Sequence, residues 1–271
     1  MIVESRKPEF GKASIDIVLC ATQRCGSTLI VEDMRNTGIL GKPEEYFIPW
    51  TDHLSKPDWE QPFASVCQRA RGDNGVSSIK IMANQLPSLD ACLATFVRSE
   101  RACDFPSVAT IFKNSHWVWL KRDNIVAQAI SRVIAKQTGI NHATSKPDDP
   151  HFAGNLLKGY SSDYNKATRY RYESILAEVI SISLENLCWK RFFQSASIKP
   201  LVFTYEDVIQ DAAMKHLDQM AIMNQLPIPT TKLERKMVKL SNKVNQEWED
   251  RFFSDAAKAK YKVSPELLAL V

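Results

Sequence analysis

An α/β fold, with a parallel sheet and helices on both of its faces, is the class that this sequence predicts. Short apolar segments of strand length recur along the chain, and most are followed by a segment with apolar residues at helical spacing. This alternation places the strands parallel in one sheet. With 271 residues, 44% of them hydrophobic, the chain can bury one large core. We therefore expect a single domain over residues 1–271.

The first strand-helix unit lies near the N-terminus. Residues 15–21 form a mostly apolar segment that ends in a short polar loop, which predicts a strand. Leu29, Ile30 and Met34 then recur at helical spacing. Gly38 ends this helix, because glycine readily adopts the left-handed conformation found after helix ends. The unit is therefore a strand, a tight loop and a helix.

The rest of the chain continues this alternation. Further strands are predicted at residues 78–82, 117–120 and 200–204, and helices at residues 87–97, 124–137, 171–193 and 207–224. Residues 139–166 show no clear periodicity and are rich in Asn, His, Ser, Asp, Pro and Gly, so we expect a mobile loop over a site there. In such a sheet, ligands bind at the carboxyl ends of the strands.

Net charge and hydropathy exclude several classes of function. The 35 basic and 31 acidic residues give a formal charge of +4, which is too small for a nucleic-acid coat or a general membrane-surface binder. The apolar segments are far shorter than the roughly 20 residues of a membrane span. Residues 1–12 lack the apolar stretch of a signal peptide. We therefore expect a cytoplasmic protein with no membrane span and no nucleic-acid partner.

The six cysteines stand apart from one another in the sequence. They form no CxxC pair, and no histidine follows at the spacing of a zinc site. The sequence therefore predicts free thiols, and neither a disulfide framework nor a bound metal ion.

The loop after the first strand has the length and placement of a P-loop. Gly26 and Thr28 stand where that motif has its second glycine and its Ser/Thr, but Ala21 replaces the first glycine and Ser27 replaces the lysine. The start of a helix and two hydroxyls still favour a bound phosphate, and Arg24 adds a positive charge. A loop without the lysine suits a donor that has no β- or γ-phosphate and needs no metal ion. Alternatively, Ser27 and Thr28 only cap the helix.

The segment QRCGSTLI, residues 23–30, resembles QRSGSTLL of the bacterial trehalose 2-sulfotransferase family. The resemblance implies a P-loop-like sulfotransferase fold with its core at about residues 15–255. It also implies 3′-phosphoadenosine 5′-phosphosulfate (PAPS) as donor, without a metal ion, and a hydroxyl of a small sugar or glycolipid as acceptor. The donor-binding residues implied in the loop are Gln23, Arg24, Cys25, Gly26, Ser27 and Thr28. Cys25 departs from the family's serine.

Two further segments are similar to parts of the same family. Arg122 follows a predicted strand and Ser131 lies nine residues later in the next helix, as in the family's 3′-phosphate site. Residues 41–47, GKPEEYF, look like the family's GEPxEFF, in which the second glutamate is the general base. That position is Glu45, and a carboxylate there can take the proton of an alcohol. Without the resemblance, Arg122 and Ser131 would be ordinary surface residues and Glu45 part of an acidic turn.

Three lysines complete the site that the resemblance implies. Lys80 lies in a predicted buried strand, where an unpaired ammonium would be costly, so it should meet an anion. It either stabilises charge on the leaving oxygen or forms a salt bridge with a carboxylate. Lys239 and Lys243 precede EWEDRF, which resembles the family's EWVDRY, and either close over the 3′-phosphate or belong to a solvated helix face.

The implied mechanism is in-line sulfuryl transfer. Glu45 deprotonates the acceptor, Lys80, Arg24 and the loop stabilise the leaving phosphate, and Arg122 and Ser131 hold the donor. The resemblance also implies a homodimer. It is poor at residues 50–74 and 139–166, where acceptor contacts are expected, so the acceptor is left open. The alternatives are a divergent P-loop kinase or nucleotide hydrolase, and an inactive nucleotide-binding protein.

Overall fold

The computed structural model describes residues 14–149, 152–230 and 234–258 of the chain. The prediction that residues 1–12 hold no signal peptide lies outside these residues. The described residues form six strands, namely β1 (Ile17–Ala21), β2 (Ser78–Met82), β3 (His116–Lys121), β4 (His142–Ala143), β5 (Leu156–Leu157) and β6 (Leu201–Thr204). They also form nine α-helices, namely α1 (Ser27–Asn36), α2 (Glu60–Arg69), α3 (Leu86–Leu93), α4 (Pro106–Ile111), α5 (Ile125–Thr138), α6 (Tyr172–Ser195), α7 (Tyr205–Gln210), α8 (Lys215–Met223) and α9 (Lys243–Lys258).

Four of the strands form the central sheet, in the order β2-β1-β3-β6, and all of its pairings are parallel. These are the four strands that the sequence predicts, and the α/β class is confirmed. The chain passes from β1 to β2 on one side and then returns to β3 on the other side of β1. The strand order therefore reverses between β1 and β3, which is where open α/β sheets bind their ligands.

Helices cover both faces of the sheet. Successive side chains of a strand point to opposite faces, so alternate residues of β1 pack against different helices. Ile17 and Leu19 of β1 lie in a buried cluster with residues of α1, α7 and α8. Val18 and Cys20 lie in a second cluster with residues of α2, α3, α4 and α6. A third cluster joins α5, α6 and α9 beside the sheet. Among the described residues, no helix has both the length and the apolar character to cross a membrane.

The prediction of one helix over residues 207–224 is wrong, because the segment forms α7 and α8 with a break between them. Asp211 causes the break: its carboxylate accepts hydrogen bonds from the backbone N–H groups of Ala213, at 3.1 Å, and Lys215, at 2.6 Å. Met214 has a left-handed backbone with φ of 50°. An aspartate side chain that binds nearby N–H groups competes in this way with the helix's own hydrogen bonds.

Residues 234–241 form a segment, here called the strap, that two carboxylates of α1 bind. Arg235 donates from Nε and Nη2 to the two carboxylate oxygens of Asp33, at 2.9 and 2.7 Å. Asp33 is buried and also contacts Nε2 of His216 at 3.0 Å. Glu32 accepts hydrogen bonds from the backbone N–H groups of the next two strap residues, at 2.9 and 3.4 Å. The strap is thus attached to α1 through charged, largely buried contacts.

Replacing Asp33 tests how strongly this attachment stabilises the fold. Asp33→Ala should lower the free energy of unfolding by about 3 kcal/mol, because it leaves the Arg235 charge without its buried partner. Asp73→Ala is the matched control, since Asp73 pairs with Lys42 at the surface. This substitution should lower the free energy of unfolding by less than about 1 kcal/mol. Urea unfolding measures both. Equal losses in the two variants would contradict a special role for Asp33.

Candidate active site

A cavity of about 730 Å³ opens at the carboxyl ends of β1 and β3. The loop between β1 and α1, Glu45 and the strap all line it. The segment of residues 139–166 also contributes to its wall, through Asn141, His142, Gly154 and Asn155. β4 and β5 pair in parallel within that segment. The segment for which a loop over a site is predicted therefore does lie at the cavity.

The loop of residues 22–26 turns the chain sharply from β1 into α1. Arg24 and Gly26 have left-handed backbones, with φ of 65° and 93°. A Cβ atom at Gly26 would lie 2.3 Å from Cδ2 of Tyr205, so both the conformation and the space require glycine there. α1 begins at Ser27, and Gly26 and the first residues of α1 line the cavity. A helix N-terminus thus faces the cavity, and such ends attract anions.

Arg24 is a partly buried cation on the wall of this cavity. Its Nε donates to Oγ of Ser131 at 3.0 Å, and its Nη1 donates to the backbone carbonyl of Asn141. Burial lowers the pKa of Arg24 to about 10, and the nearby charge of Arg122 acts in the same direction. The side chain therefore stays charged at neutral pH. In the part of the chain that the structure describes, it forms no ion pair with a carboxylate.

Arg122 follows β3, as the sequence predicts, and the fold brings it next to Arg24. Its guanidinium stands over the ring of Tyr205, 4.8 Å from the ring centre, and its Nη1 donates to the carbonyl of Arg24 at 3.5 Å. Its Nε is buried and has no hydrogen-bond partner among the described residues. The carboxylate of Glu206 is 3.8 Å from that atom, which is beyond hydrogen-bond length. The two arginines thus offer an anion positive charge, and Arg122 offers an N–H group without a hydrogen-bond partner among the described residues.

Glu45 and Lys80 form an ion pair on the opposite side of the loop. Lys80 Nζ lies 2.8 Å from Oε1 of Glu45 and donates to Oγ1 of Thr28 at 3.4 Å. The Lys80 side chain is 4% exposed and that of Glu45 is 24% exposed. The salt bridge predicted as one possible partner of Lys80 is therefore present, and its carboxylate is the candidate base. Glu44 contacts Arg35 instead, at 2.6 Å.

Cys25 belongs to the loop, but its side chain lies beneath it. The side chain is fully buried, packs with the apolar cluster around α1, and does not line the cavity. Burial raises the pKa of the Cys25 thiol, although the backbone N–H groups of Thr22 and Ser27 pull it the other way. The thiol is therefore a neutral packing group, and the serine-to-cysteine departure leaves the cavity wall unchanged. Gln23 does line the cavity.

The C-terminal part of the site is only partly as the sequence predicts. Lys239, on the strap, is exposed and lines the cavity, whereas Lys243 is exposed at the start of α9 and does not line it. Tyr205 and Arg235 line the cavity without having been predicted. Tyr205 directly follows β6, so its place at the carboxyl end of a strand was a usable signal. Arg235 is brought in by the contact with α1, for which the sequence carries no signal.

The sequence model of the Stf0 sulphotransferase family matches residues 16–255. This chain belongs to that family. It is similar to trehalose 2-sulfotransferase of Mycobacterium tuberculosis, at 24% identity over 88% of this chain and 94% of the relative. It is also similar to trehalose 2-sulfotransferase of Mycolicibacterium smegmatis, at 22% identity with the same coverage. The part of this Stf0 sulphotransferase that matches the family includes the central sheet and every residue predicted for the site.

Gly26→Ala tests the geometry of the loop. The new methyl group would collide with Tyr205 and would also occupy a left-handed backbone, so we expect a clear fall in the unfolding midpoint. Gly75→Ala is the matched control, because Gly75 has a similar φ of 88° but nothing within 4 Å of the new methyl group. This substitution should lower the free energy of unfolding only by the cost of a left-handed backbone at a non-glycine residue, roughly 1–2 kcal/mol. Thermal unfolding measures both, and equal shifts would argue against the contact with Tyr205.

Proposed function

We propose that this chain transfers a sulfuryl group from PAPS to a hydroxyl of a small carbohydrate-like acceptor. The observation that carries the proposal is the pairing of groups across one cavity. Its loop resembles a phosphate-binding loop without the lysine of nucleoside triphosphatases, and two arginines line the same cavity, one of them with an unpartnered Nε–H group among the described residues. A carboxylate held by a lysine lies on the other side. The names of the two relatives support a carbohydrate acceptor.

The cavity has groups that suit both phosphates of this donor. The loop and the N-terminus of α1 would hold the 5′-phosphate, since both present backbone N–H groups to an anion. Arg122 and Ser131 would hold the 3′-phosphate, which would give Nε of Arg122 the hydrogen-bond partner that it lacks among the described residues, and Arg24 would act with the loop on the 5′-phosphate. Lys239 is placed to add charge from the strap. Lys243 lies outside the cavity wall, so a solvated helix start explains it better.

Glu45 is the residue that we propose as general base. PAPS supplies an activated sulfuryl group on its 5′-phosphate. A hydroxyl is a poor nucleophile, and Glu45 can take its proton as the new oxygen–sulfur bond forms and the bond between sulfur and the 5′-phosphate oxygen breaks, which would release adenosine 3′,5′-bisphosphate. The proton cancels the charge that Glu45 presents to Lys80. The ammonium, already 3.4 Å from Thr28, is then free to act on negative charge that develops at the loop.

A homodimer and a cytoplasmic location, which the sequence predicts, stay predictions. Membership of the Stf0 sulphotransferase family disfavours the alternative of a P-loop kinase or nucleotide hydrolase. The alternative of an inactive nucleotide-binding protein would show donor binding without transfer to any hydroxyl. The two experiments below separate these possibilities.

Thermal unfolding with ligands tests the donor. Adenosine 3′,5′-bisphosphate should raise the unfolding midpoint, because a ligand that binds only the folded state stabilises it; at about 100 times its Kd the gain is roughly 2.7 kcal/mol. ATP with magnesium is the comparison ligand and should give a smaller shift. A shift with ATP and magnesium alone would overturn the sulfotransferase proposal in favour of a kinase.

Glu45→Gln tests the base. The variant should lose sulfuryl transfer by a factor of about 10²–10⁴, because the amide cannot accept the hydroxyl proton, while its affinity for adenosine 3′,5′-bisphosphate stays close to that of the wild type. Glu44→Gln is the matched control: the neighbouring carboxylate contacts Arg35 and should not affect the chemical step. Radiolabelled PAPS with trehalose and other sugars as acceptors gives the rates. Transfer retained in Glu45→Gln would exclude this residue as the base.

A further inference from the structure

Side chains of α5 and α6 bind the loop from behind. Gln128 donates from Nε2 to Oγ1 of Thr22 at 2.8 Å and to the carbonyl of Gln23 at 2.7 Å. Arg132 donates from Nε to the same carbonyl at 3.0 Å, and Trp189 donates from Nε1 to the carbonyl of Ala21 at 3.0 Å. None of these three helix side chains lines the cavity.

These contacts decide which way the peptide groups of the loop face. The other two carbonyls near the turn also have protein donors: that of Thr22 accepts from the N–H of Cys25, and that of Arg24 accepts from Arg122. A carbonyl oxygen that faced the cavity would repel a phosphate, whereas an N–H group attracts one. The hydrogen bonds to the carbonyls of residues 21–24 therefore keep these oxygens from facing an anion in the cavity.

Arg132 contributes by geometry and not by charge. Its guanidinium donates to both carboxylate oxygens of Glu185, at 2.9 and 2.6 Å, and lies 3.6 Å from Glu178. Glu178 in turn pairs with Lys136. Two cations and two carboxylates give this group no net charge. The Nε–H of Arg132 is directed to the loop, and Glu185 holds the guanidinium in that orientation.

Helix α5 connects this support to the other phosphate site. Gln128 and Arg132 are one turn apart on the face of α5 that meets the loop. Their sequence neighbours, Ala127 and Ser131, line the cavity. The same helix therefore carries Ser131, proposed for the 3′-phosphate, and the two residues that hold the loop proposed for the 5′-phosphate.

We propose that Gln128 and Arg132, with Glu185 fixing Arg132, are positioning residues that hold the loop in the orientation that binds the donor's 5′-phosphate. This inference rests on the proposed function, because it takes PAPS as the donor. It assigns the three residues no contact with the donor. Replacing these residues should weaken binding of the 5′-phosphate and leave binding of the 3′-phosphate unchanged.

Calorimetric titration with two ligands tests this assignment. Adenosine 3′,5′-bisphosphate reports on both phosphate sites, and adenosine 3′-monophosphate reports on the Arg122 site alone. Gln128→Met keeps the approximate shape of the side chain and removes the Nε2 group that donates both hydrogen bonds to the loop. The Oε1 atom that it also removes has no hydrogen-bond partner among the described residues. Arg132→Met with Glu185→Met removes the second support without leaving Glu185 unpaired. Each should bind the bisphosphate about tenfold more weakly, as expected for losing one or two hydrogen bonds, and bind the monophosphate within about twofold of the wild type.

Arg191→Gln is the matched control. Arg191 is also on α6 and pairs with Asp104 at 3.4 Å, but it is 66% exposed and is not among the residues that bind the loop. It should bind both ligands like the wild type. The calorimetric stoichiometry gives the folded fraction, so a variant that only folds poorly would show fewer sites at an unchanged Kd. In the transfer assay, the donor KM should rise and the acceptor KM should not.

The outcomes separate the two proposals. A tenfold loss for the bisphosphate alone supports the positioning role. Wild-type affinity for the bisphosphate in both variants, or an equal loss for both ligands, would overturn the positioning role and leave the proposed function standing. No binding of the bisphosphate by the wild-type protein would overturn the proposed function, and this inference with it.

Discussion

The turn from β1 into α1 has to bring backbone N–H groups to a cavity while its carbonyl oxygens accept hydrogen bonds from the protein. Much of the site follows from that requirement. Two left-handed residues, Arg24 and Gly26, allow the sharp turn. The ring of Tyr205 fills the space where a side chain at Gly26 would lie. Behind the turn, Gln128, Arg132 and Trp189 satisfy its carbonyls. A left-handed non-glycine residue such as Arg24 is costly, so it needs support of this kind.

The charges around the cavity are divided between its two sides. On the proposed donor side, Arg24 forms no ion pair with a carboxylate among the described residues, and Arg122 has only the carboxylate of Glu206, at 3.8 Å, which leaves positive charge for an anion. On the acceptor side, Lys80 is paired with Glu45, so that this pair is neutral until a proton moves. The same cavity thus holds the proposed anion site and the proposed proton acceptor, which is the arrangement that the proposed sulfuryl transfer requires.

The strap shows how a distant part of the chain becomes part of the site. Residues 234–241 are held at the cavity by Glu32 and Asp33 of α1, and by backbone hydrogen bonds with residues 143–145. α1 therefore has two roles: its N-terminus faces the cavity, and the buried carboxylates in its middle attach the strap. Changes at Asp33 should thus affect both stability and the wall of the cavity.

The sequence by itself determined the parallel sheet, the turn from β1 into α1 and the positions of Arg122 and Ser131. Strands buried on both faces are continuous apolar segments, and the ends of such strands are where polar side chains collect, so both are visible in local pattern. It did not predict α2, although the three buried residues of this helix, Phe63, Val66 and Cys67, stand at helical spacing. It also joined α7 and α8, since propensity does not show that Asp211 captures N–H groups. Only the tertiary structure decided that Lys80 pairs with Glu45 and that Cys25 packs beneath the loop. It also decided that Gln128, Arg132 and Arg235 support the site. Each of these contacts joins residues far apart in the chain, and local sequence pattern carries no information about such contacts.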